Sequence, residues 1–505
     1  MSSILTNNSA MVALQTLKNV NASLAKTQDE ISTGKSVATA KDNAAVWAIS
    51  KVMESDVKGF KSISESLALG QSTVAVGREA AETVTELLTD IKGKIVAAQE
   101  ENVDRSKIQT DISALRDQIK SVTGAAQFNG LNLVSGTADV NVLSSLDRAS
   151  NGSVTASNIT VTRQDLGTSA GSYGGGVTLA SNITAGAAAV DSTGVANQLE
   201  LTFAGSAANN WDLNIGGSTV SVAFNTSAAQ TASDMVDAIN ALGLTGISAN
   251  LDTATVDIIN TNGFSEFAVS WDTNGANTVA VVNQGDTSEN ASAAGGPGSA
   301  TLVYRAEEVA LSTSAQVNEG DGYRISVGGT DYDYIAGKGE TMEDVARGLK
   351  TAVDGGNITD VSTSVVQEGG QWKVLVDYGA SSGTISLADN GESGGTASGG
   401  LFGLDNIDVT TNAGADAALG NIETLIQNSI DAAASFGSDQ GRIETQASFV
   451  SAMTDALKSG IGAMVDADME EASARLQALQ VQQQLATQAL SIANQAPQSI
   501  LSLFR

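Results

Sequence analysis

From Val46 to Ala98 the apolar positions Ile49, Met53, Phe60, Ile63, Leu67, Val74, Ala81, Val84, Leu88, Ile91 and Ile95 alternate at spacings of three and four, with Asp56 as the one charged interruption. More than seven heptads in one register predict a coiled-coil seam, with Phe60, Ile63, Leu67, Val84, Leu88 and Ile91 at its centre. Unbroken, such a helix is about 80 Å long at ~1.5 Å per residue and cannot bury its stripe on itself. Upstream, Leu14, Leu17, Leu24 and Ile31 repeat the pattern until Thr33-Gly34, and Thr39-Ala40-Lys41-Asp42 offers a capping box for the long helix. Downstream, Ile108, Ile112, Leu115, Ile119 and Val122 form a shorter stripe that stops at Gly124. The other end of the chain mirrors this. Ile422, Ile426, Ala433, Phe436, Ile443, Ala447, Val450, Leu457, Ile461 and Met464 predict a second long seam, and Leu476, Leu479, Ala486, Leu490 and Ala493 a further helix reaching Pro497.

A seam needs a partner seam, so the economical arrangement pairs the two ends of the chain and leaves the middle as an insertion. Two separate helical bundles are the alternative. The middle changes character: it holds 38 of the 52 glycines, is rich in Asn, Thr and Ser, and alternates with a period of two. Within it, Asn214-Ile215-Gly216-Gly217-Ser218 with Val220, Val222 and Phe224 precedes Thr231-Ala232-Ser233-Asp234 and a helical pattern to Leu242. Ser326-Val327-Gly328-Gly329-Thr330 with Tyr332 and Tyr334 likewise precedes Thr341-Met342-Glu343-Asp344 and a pattern to Val353, at offsets of 112 and 110 residues. Each copy predicts a strand, a Gly-Gly turn, a strand, a capped helix and further strands such as Thr255–Ile259 and Trp372–Val376. The Ala291–Ser299 run, with Gly295-Gly296-Pro297-Gly298, is expected to link the copies. The fold class is therefore multidomain: an α-helical coiled-coil bundle of paired N- and C-terminal segments with a β-rich α+β insertion. The expected divisions are residues 1–40 with 468–505, 41–140 with 412–467, and 141–411, the last holding lobes at about 200–285 and 300–390.

Charge sharpens the division. The formal net charge is −30, and residues 137–412 carry −23 of it. That is the wrong sign for gripping a phosphate backbone or an anionic leaflet, so neither nucleic acid nor membrane is expected as a partner. No stretch approaches the 18 or so apolar residues of a membrane span, and Met1 to Ala10 lack the basic and apolar regions of a signal peptide. The protein is expected to be soluble, or exported without a cleaved signal. There is no cysteine and no histidine, which removes disulfides, thiolate nucleophiles, imidazole catalysis and most zinc and haem sites. No nucleophile elbow, zinc-protease helix, complete phosphate-binding loop or dinucleotide fingerprint occurs. Asp331/Asp333 and Glu307/Glu308 read as a solvated acidic face and not as catalytic dyads. Glu319-Gly320-Asp321-Gly322 and Asp389-Asn390-Gly391-Glu392 read as lone turns without the nine-residue repeat of calcium-loaded β-rolls, and Gly174-Gly175-Gly176 as a flexible loop. No catalytic residue, metal site or cofactor is expected.

Ile31-Ser32-Thr33-Gly34-Lys35, Ala40-Lys41-Asp42-Asn43-Ala44-Ala45 and Ala126-Gln127-Phe128-Asn129-Gly130 resemble the N-terminal signature of bacterial flagellins. Ala493-Asn494-Gln495-Ala496-Pro497-Gln498 and Leu501-Ser502-Leu503-Phe504-Arg505 resemble the flagellin tail, and Val465 to Ala472 is similar to alphaproteobacterial members in particular. The resemblance covers roughly residues 1–135 and 415–505. It implies a non-enzymatic filament subunit for motility, polymerising with itself outside the cell, with the terminal segments as an inner helical layer and the middle decorating the outside. Leu14, Leu17, Leu24, Ile31, Leu476, Leu479, Leu490, Ile500 and Leu501 would carry self-assembly, and Ile443, Val450 and Leu457 would complete the rod seam. The terminal stripes are thin, with Asn7, Asn8, Asn19 and Asn21 in one and Gln477, Gln480, Gln482, Gln483 and Gln484 in the other, so these segments are expected to order on assembly. The resemblance further implies unfolded export through the flagellar export apparatus with a chaperone, and contacts with hook-associated junction and cap proteins.

Two departures stand out. In Thr89–Val96, the segment through which the vertebrate flagellin receptor reads many flagellins, Asp90 stands where a key arginine is expected and Gly93-Lys94 replaces Glu-Leu. Weak receptor activation is expected, and a reporter response as strong as that to a typical enterobacterial flagellin would contradict it. Val46-Trp47 replaces the commoner Gly-Leu, with Trp47 expected to fill a gap between helices or between subunits. A hook-filament junction protein with similar ends, or a secreted calcium-binding adhesin or enzyme domain, are the competing readings.

Overall fold

The computed structural model describes residues 7–136, 138–148, 153–192, 197–204, 210–224, 226–273, 278–284, 291–294 and 297–503. They fall into two compact units, one of Met1–Val74, Val140–Val161 and Ser438–Arg505, the other of Ala75–Asp139 and Thr162–Gly437.

Helices α1 (Asn8–Thr33), α2 (Ala44–Ala98) and α3 (Arg105–Ala125) open the chain, and α6 (Asn412–Val465) and α7 (Met469–Leu503) close it. The N-terminus of α2 is capped by Asn43, whose Oδ1 accepts from Val46 N at 3.2 Å. The expected box is displaced: the Asp42 carboxylate accepts from Thr39 N at 2.9 Å and Thr39 Oγ1 at 3.0 Å, closing a turn ahead of the helix. Along α2, Ile63, Leu67, Val74, Ala81, Val84, Leu88, Ile91, Ile95 and Ala98 are buried, whereas Ile49 keeps 52% of its surface exposed. On α6 the buried register is Ile422, Leu425, Ser429, Ala432, Phe436, Asp439, Ile443 and Val450. Leu425 and Ala432 thus hold the places expected of Ile426 and Ala433. The expected spacing skipped them because a polar residue, Ser429, lies on the true seam; its hydroxyl donates to Ala81 O at 2.9 Å and meets Thr85 Oγ1 at 2.9 Å, so burial leaves no vacant donor. In the first unit, hairpin β3–β4 (Val140–Arg148, Val154–Val161) lies on the helices. A Cβ on Gly70 would meet Val142 at 2.6 Å, and Gln446 Nε2 donates to Ser144 O at 2.9 Å.

In the second unit, after the two-residue strands β1 (Gln127–Phe128) and β2 (Leu131–Asn132), two β-sandwich lobes share one plan. The first is built from β7 (Gln198–Ala204), β8 (Asn210–Ile215), β9 (Ser218–Ala223), α4 (Ala228–Ala241), β10 (Ile247–Asp252), β11 (Thr255–Asn260), β12 (Phe267–Asp272), β13 (Thr278–Asn283), β14 (Ala291–Ala294) and β15 (Gly298–Leu302). Its sheets run β10-β11-β7-β13-β14 and β15-β12-β8-β9. The second is built from β5 (Ile183–Ala185), β6 (Ala189–Asp191), β16 (Glu307–Leu311), β17 (Gly322–Val327), β18 (Thr330–Ile335), α5 (Met342–Gly355), β19 (Val361–Glu368), β20 (Gln371–Tyr378) and β21 (Thr384–Glu392), with sheets β19-β20-β16-β5 and β18-β17-β21-β6. Superposing the orders makes β5 the counterpart of β13 and β6 that of β15. The second lobe is a circular permutation of the first: its last two strands come first in the chain, and the first lobe is inserted between β6 and β16.

The repeated Gly-Gly steps close β8–β9 and β17–β18. Both glycines of each pair have positive φ (54° and 90°; 63° and 81°), which a two-residue turn of this twist requires. Cap chemistry agrees for α5, where Thr341 and Asp344 form a capping box. In α4 it does not: Ser227 is the N-cap, accepting from Gln230 N, and the expected cap Thr231 is fully buried inside the first turn. The Ala291–Ser299 run is no linker; its described part supplies β14 and the start of β15, two strands of the first lobe. Asp389–Glu392 is not a turn but the end of β21, where Asp389 pairs with Ile325 and its Oδ1 accepts from Ala185 N at 2.8 Å. Gly174 and Gly176 lie against Ser393, with Gly176 N donating to Ser393 O at 3.0 Å, and a Cβ on Gly174 would come within 2.1 Å of that oxygen. Backbone thus packs on backbone where a loose loop was expected.

Candidate assembly interface

In the first unit, α1 packs against α7. On α1 the positions turned inward are Ala13, Leu17, Val20, Leu24, Thr27 and Ile31; on α7 they are Ala472, Leu476, Leu479, Gln483, Ala486, Leu490 and Ala493. Both sets alternate by three and four, so the pair is a two-helix coiled-coil seam. Gln483 Nε2 donates to Asn21 Oδ1 across it at 2.8 Å. The connections at its end are clipped together: Ser36 N donates to Val465 O at 2.7 Å, Ala467 N to Gly34 O at 3.0 Å, and Lys35 forms an antiparallel bridge with Asp466.

Of the residues expected to carry assembly, Leu17, Leu24, Ile31, Leu476, Leu479 and Leu490 line this seam, half-buried. Leu14 is 44% exposed and lies outside it, beside Met11 (61%) and Val12 (67%). On α7, Val481 (56%), Leu485 (58%) and Ile492 (69%) form a second apolar stripe turned away from α1. The side chains of Ile500 and Leu501 lie outside the described residues. Sequence reading missed Met11, Val12, Val481, Leu485 and Ile492 because it followed the stronger stripe of each helix; the weaker stripe, offset around the helix, was the available signal.

Among the rod positions, Phe60 and Leu457 are half-buried and Ile63, Leu67, Ile443 and Val450 are buried in the first unit; Val84, Leu88 and Ile91 are buried in the second. Trp47 is half-buried. Asp90 and Gly93 are exposed on α2, and Lys94 pairs with Asp111 of α3 at 2.5 Å.

The carboxylates of the middle are engaged by neighbours. Arg324 bridges Asp331 at 2.8 Å and Asp333 at 2.6 Å while lying 4.1 Å above the Tyr173 ring, and those carboxylates hold its guanidinium pKa above the ordinary value. Glu308 pairs with Lys373 at 2.7 Å, and burial raises the Glu307 carboxyl. Asp321 accepts from Asn318 N at 2.9 Å inside its own turn. Among the described residues no three Asp, Glu, His or Cys gather as a metal site, and no helix is long and apolar enough to cross a membrane. A cleft of ≈ 200 Å³ in the second unit is lined by Arg163, Asp165, Lys338, Glu340, Asp344 and Asp431, among others. In it Glu340 accepts from Gly337 N at 2.9 Å and from Tyr334 Oη at 2.9 and 3.0 Å, and burial pushes its carboxyl up to about 7.

Residues 4–139 match the bacterial flagellin N-terminal helical region, and residues 419–504 the bacterial flagellin C-terminal helical region. Flagellin A of Rhizobium meliloti strain 1021 is 32% identical over 510 residues, covering all of both chains, and a second Rhizobium meliloti flagellin A is 30% identical over the same span. The chain belongs to the flagellin family. It is a flagellin of the alphaproteobacterial type, a structural subunit that polymerises with copies of itself into the filament of a motile cell's flagellum. Flagellar hook-associated protein 3 of Legionella pneumophila covers 82% of this flagellin and 98% of its own chain at 10% identity, with a TM-score of 0.33, too remote to add to the assignment.

Proposed function

We propose that this flagellin assembles through the outward faces of α1 and α7, and that its work is done by surfaces and not by a catalytic pocket. The observation that carries this reading is the second apolar stripe, Met11, Val12 and Leu14 on one helix and Val481, Leu485 and Ile492 on the other, left open after the helices have packed on each other. A subunit that presents such a face to a different face of its neighbour makes a heterologous contact, which generates an open helical polymer. The thin seam between α1 and α7, with alanine, threonine and glutamine among its contacts, supports export as an unfolded chain, through the flagellar export apparatus with a chaperone and without a cleaved signal peptide. The ends then order when neighbours cover them. Residues 1–40 with 468–505 form the inner layer and 41–140 with 412–467 the rod, on whose helices the hairpin β3–β4 lies; the rest of 141–411 carries the outer lobes, whose like charge keeps adjacent filaments apart. Hook-associated junction and cap proteins meet the same terminal surfaces at the two ends of the filament.

Salt-induced assembly of the purified chain, viewed by negative-stain microscopy beside a version lacking residues 1–33 and 470–505, tests the reading. Long filaments from the full chain and folded monomers from the trimmed one are expected. Filaments from both would move assembly out of the terminal helices.

A further inference from the structure

Helix α7 contains a proline and does not stop there. Pro497 has no amide hydrogen, so the carbonyl of Ala493, one turn earlier, lacks the bond an α-helix ordinarily gives it; α7 nevertheless continues to Leu503. Asn7, from the opposite end of the chain, supplies the missing donor. Its Nδ2 donates to Ala493 O at 2.8 Å, across 486 residues of sequence. The same side chain caps α1 through Oδ1, which accepts from Ala10 N at 3.0 Å. A carboxamide accepts and donates from two atoms at once, which an aspartate cannot do and a serine is too short to do over this span.

We infer that Asn7 and Pro497 form a clasp that locks the register of the terminal helix pair at the end away from the Gly34–Ala467 clip: the proline frees a carbonyl and the asparagine docks on it. The apolar contacts of the seam are by themselves weakly specified. They repeat every heptad on both helices, so a slide of seven residues, about 10 Å at ~1.5 Å per residue, brings similar small and aliphatic residues back into contact. Against such a slide stand the Ser36–Val465 and Ala467–Gly34 bonds at the connection end and the exposed Gln483–Asn21 bond partway along; Asn7 on Ala493 adds the directional contact at the opposite end, as a polar residue does in coiled coils. Register matters because it sets the axial offset between the outward residues of α1, Met11, Val12 and Leu14, and those of α7, Val481, Leu485 and Ile492, which lie on opposite sides of the pair. The clasp therefore rests on the assembly reading above and names the residues that align the two faces.

The test is a double-mutant cycle read as the critical concentration for salt-induced filament growth, with hydrogen exchange of the filaments reporting the terminal helices. Asn7→Ser keeps a capping oxygen but loses the reach to Ala493, leaving an acceptor without its partner, and is expected to raise the critical concentration about fivefold and to speed exchange near residues 7–17 and 489–495. Pro497→Ala restores an N–H that the Ala493 carbonyl can accept from within α7. In that background Asn7→Ser is expected to cost less than about twofold. An unchanged critical concentration for Asn7→Ser, or an equal cost with and without Pro497→Ala, overturns the clasp while the assembly reading stands. A wild-type chain that forms no filaments overturns both.

Discussion

Leu485→Asp yields a folded protein that forms no filaments. Leu485 is 58% exposed on α7, midway along a stripe with Val481 and Ile492 and on the side away from α1, so the substitution removes nothing from the seam within the chain. On the assembly reading proposed above, a neighbouring subunit covers that surface in the filament. Losing the burial of a leucine costs about 2 kcal/mol, and placing a carboxylate with no cationic partner in a closed contact costs several more. A heterologous contact contains this face once, so the penalty falls on every subunit added to the polymer. Sedimentation and negative-stain microscopy should find the variant soluble at concentrations where the parent has polymerised, with an unchanged circular dichroism spectrum of the monomer. Val177→Asp is the matched control. Val177 is 72% exposed in the second unit, and that variant should polymerise as the parent does. Equal loss in both would mean that added negative charge, on a chain already at −30, prevents assembly wherever it is placed.

Glu340→Gln makes the second lobe more resistant to alkaline conditions. The ordinary carboxyl value is 4.5, and burial in the cleft raises it to about 7, with the Asp344 carboxylate adding to the rise and the bonds from Gly337 and Tyr334 opposing it. A group raised on folding lends its full stabilisation below its unfolded value and loses it as pH climbs through the folded one. The wild-type lobe therefore holds this contribution below about 4.5 and has lost it above about 7. Glutamine is neutral throughout and keeps an oxygen for Gly337 N and Tyr334 Oη. At pH 5 the variant should exceed the parent by less than about 1 kcal/mol; at pH 8 it should be more stable by about 1 to 3 kcal/mol, the upper figure discounted because part of the residue still meets water. Comparing the two chains at each pH cancels the general self-repulsion of an acidic protein, which also eases on acidification. A difference that is equal at pH 5 and pH 8 would show that the carboxyl does not titrate in this interval.

The helical ends were legible because a heptad stripe repeats often enough to survive a few polar interruptions, and Ile63, Leu67, Leu88 and Ile91 on α2 and Phe436 and Ile443 on α6 are buried where the spacing put them. Legibility failed where a polar residue sat on the true seam, as at Ser429, and where a helix ran on through a proline, as at Pro497. In each case a hydrogen bond from another helix meets the polar group that the residue type leaves on the seam or in the turn. The two lobes were legible through Gly216-Gly217 and Gly328-Gly329, which fix a turn in a fixed hand. Their permuted order was not. Strands β5 and β6 have three residues each, too few for alternation to register, and their partners β16 and β21 lie more than a hundred residues downstream. The outward stripes of α1 and α7 were hidden for another reason: without knowledge of which face meets the partner helix, two apolar stripes on one helix cannot be ranked.

The permuted insertion bears on how such a chain can vary. Among the described residues no strand of the first lobe is hydrogen-bonded to a strand of the second, and each lobe closes its own hydrophobic core, around Trp211 in one and Tyr323 in the other. The chain leaves the second lobe after β6 and returns to it at β16. Recombination within these two connections would therefore exchange, duplicate or delete the first lobe as one heritable block, with every strand pair of the second lobe left in place.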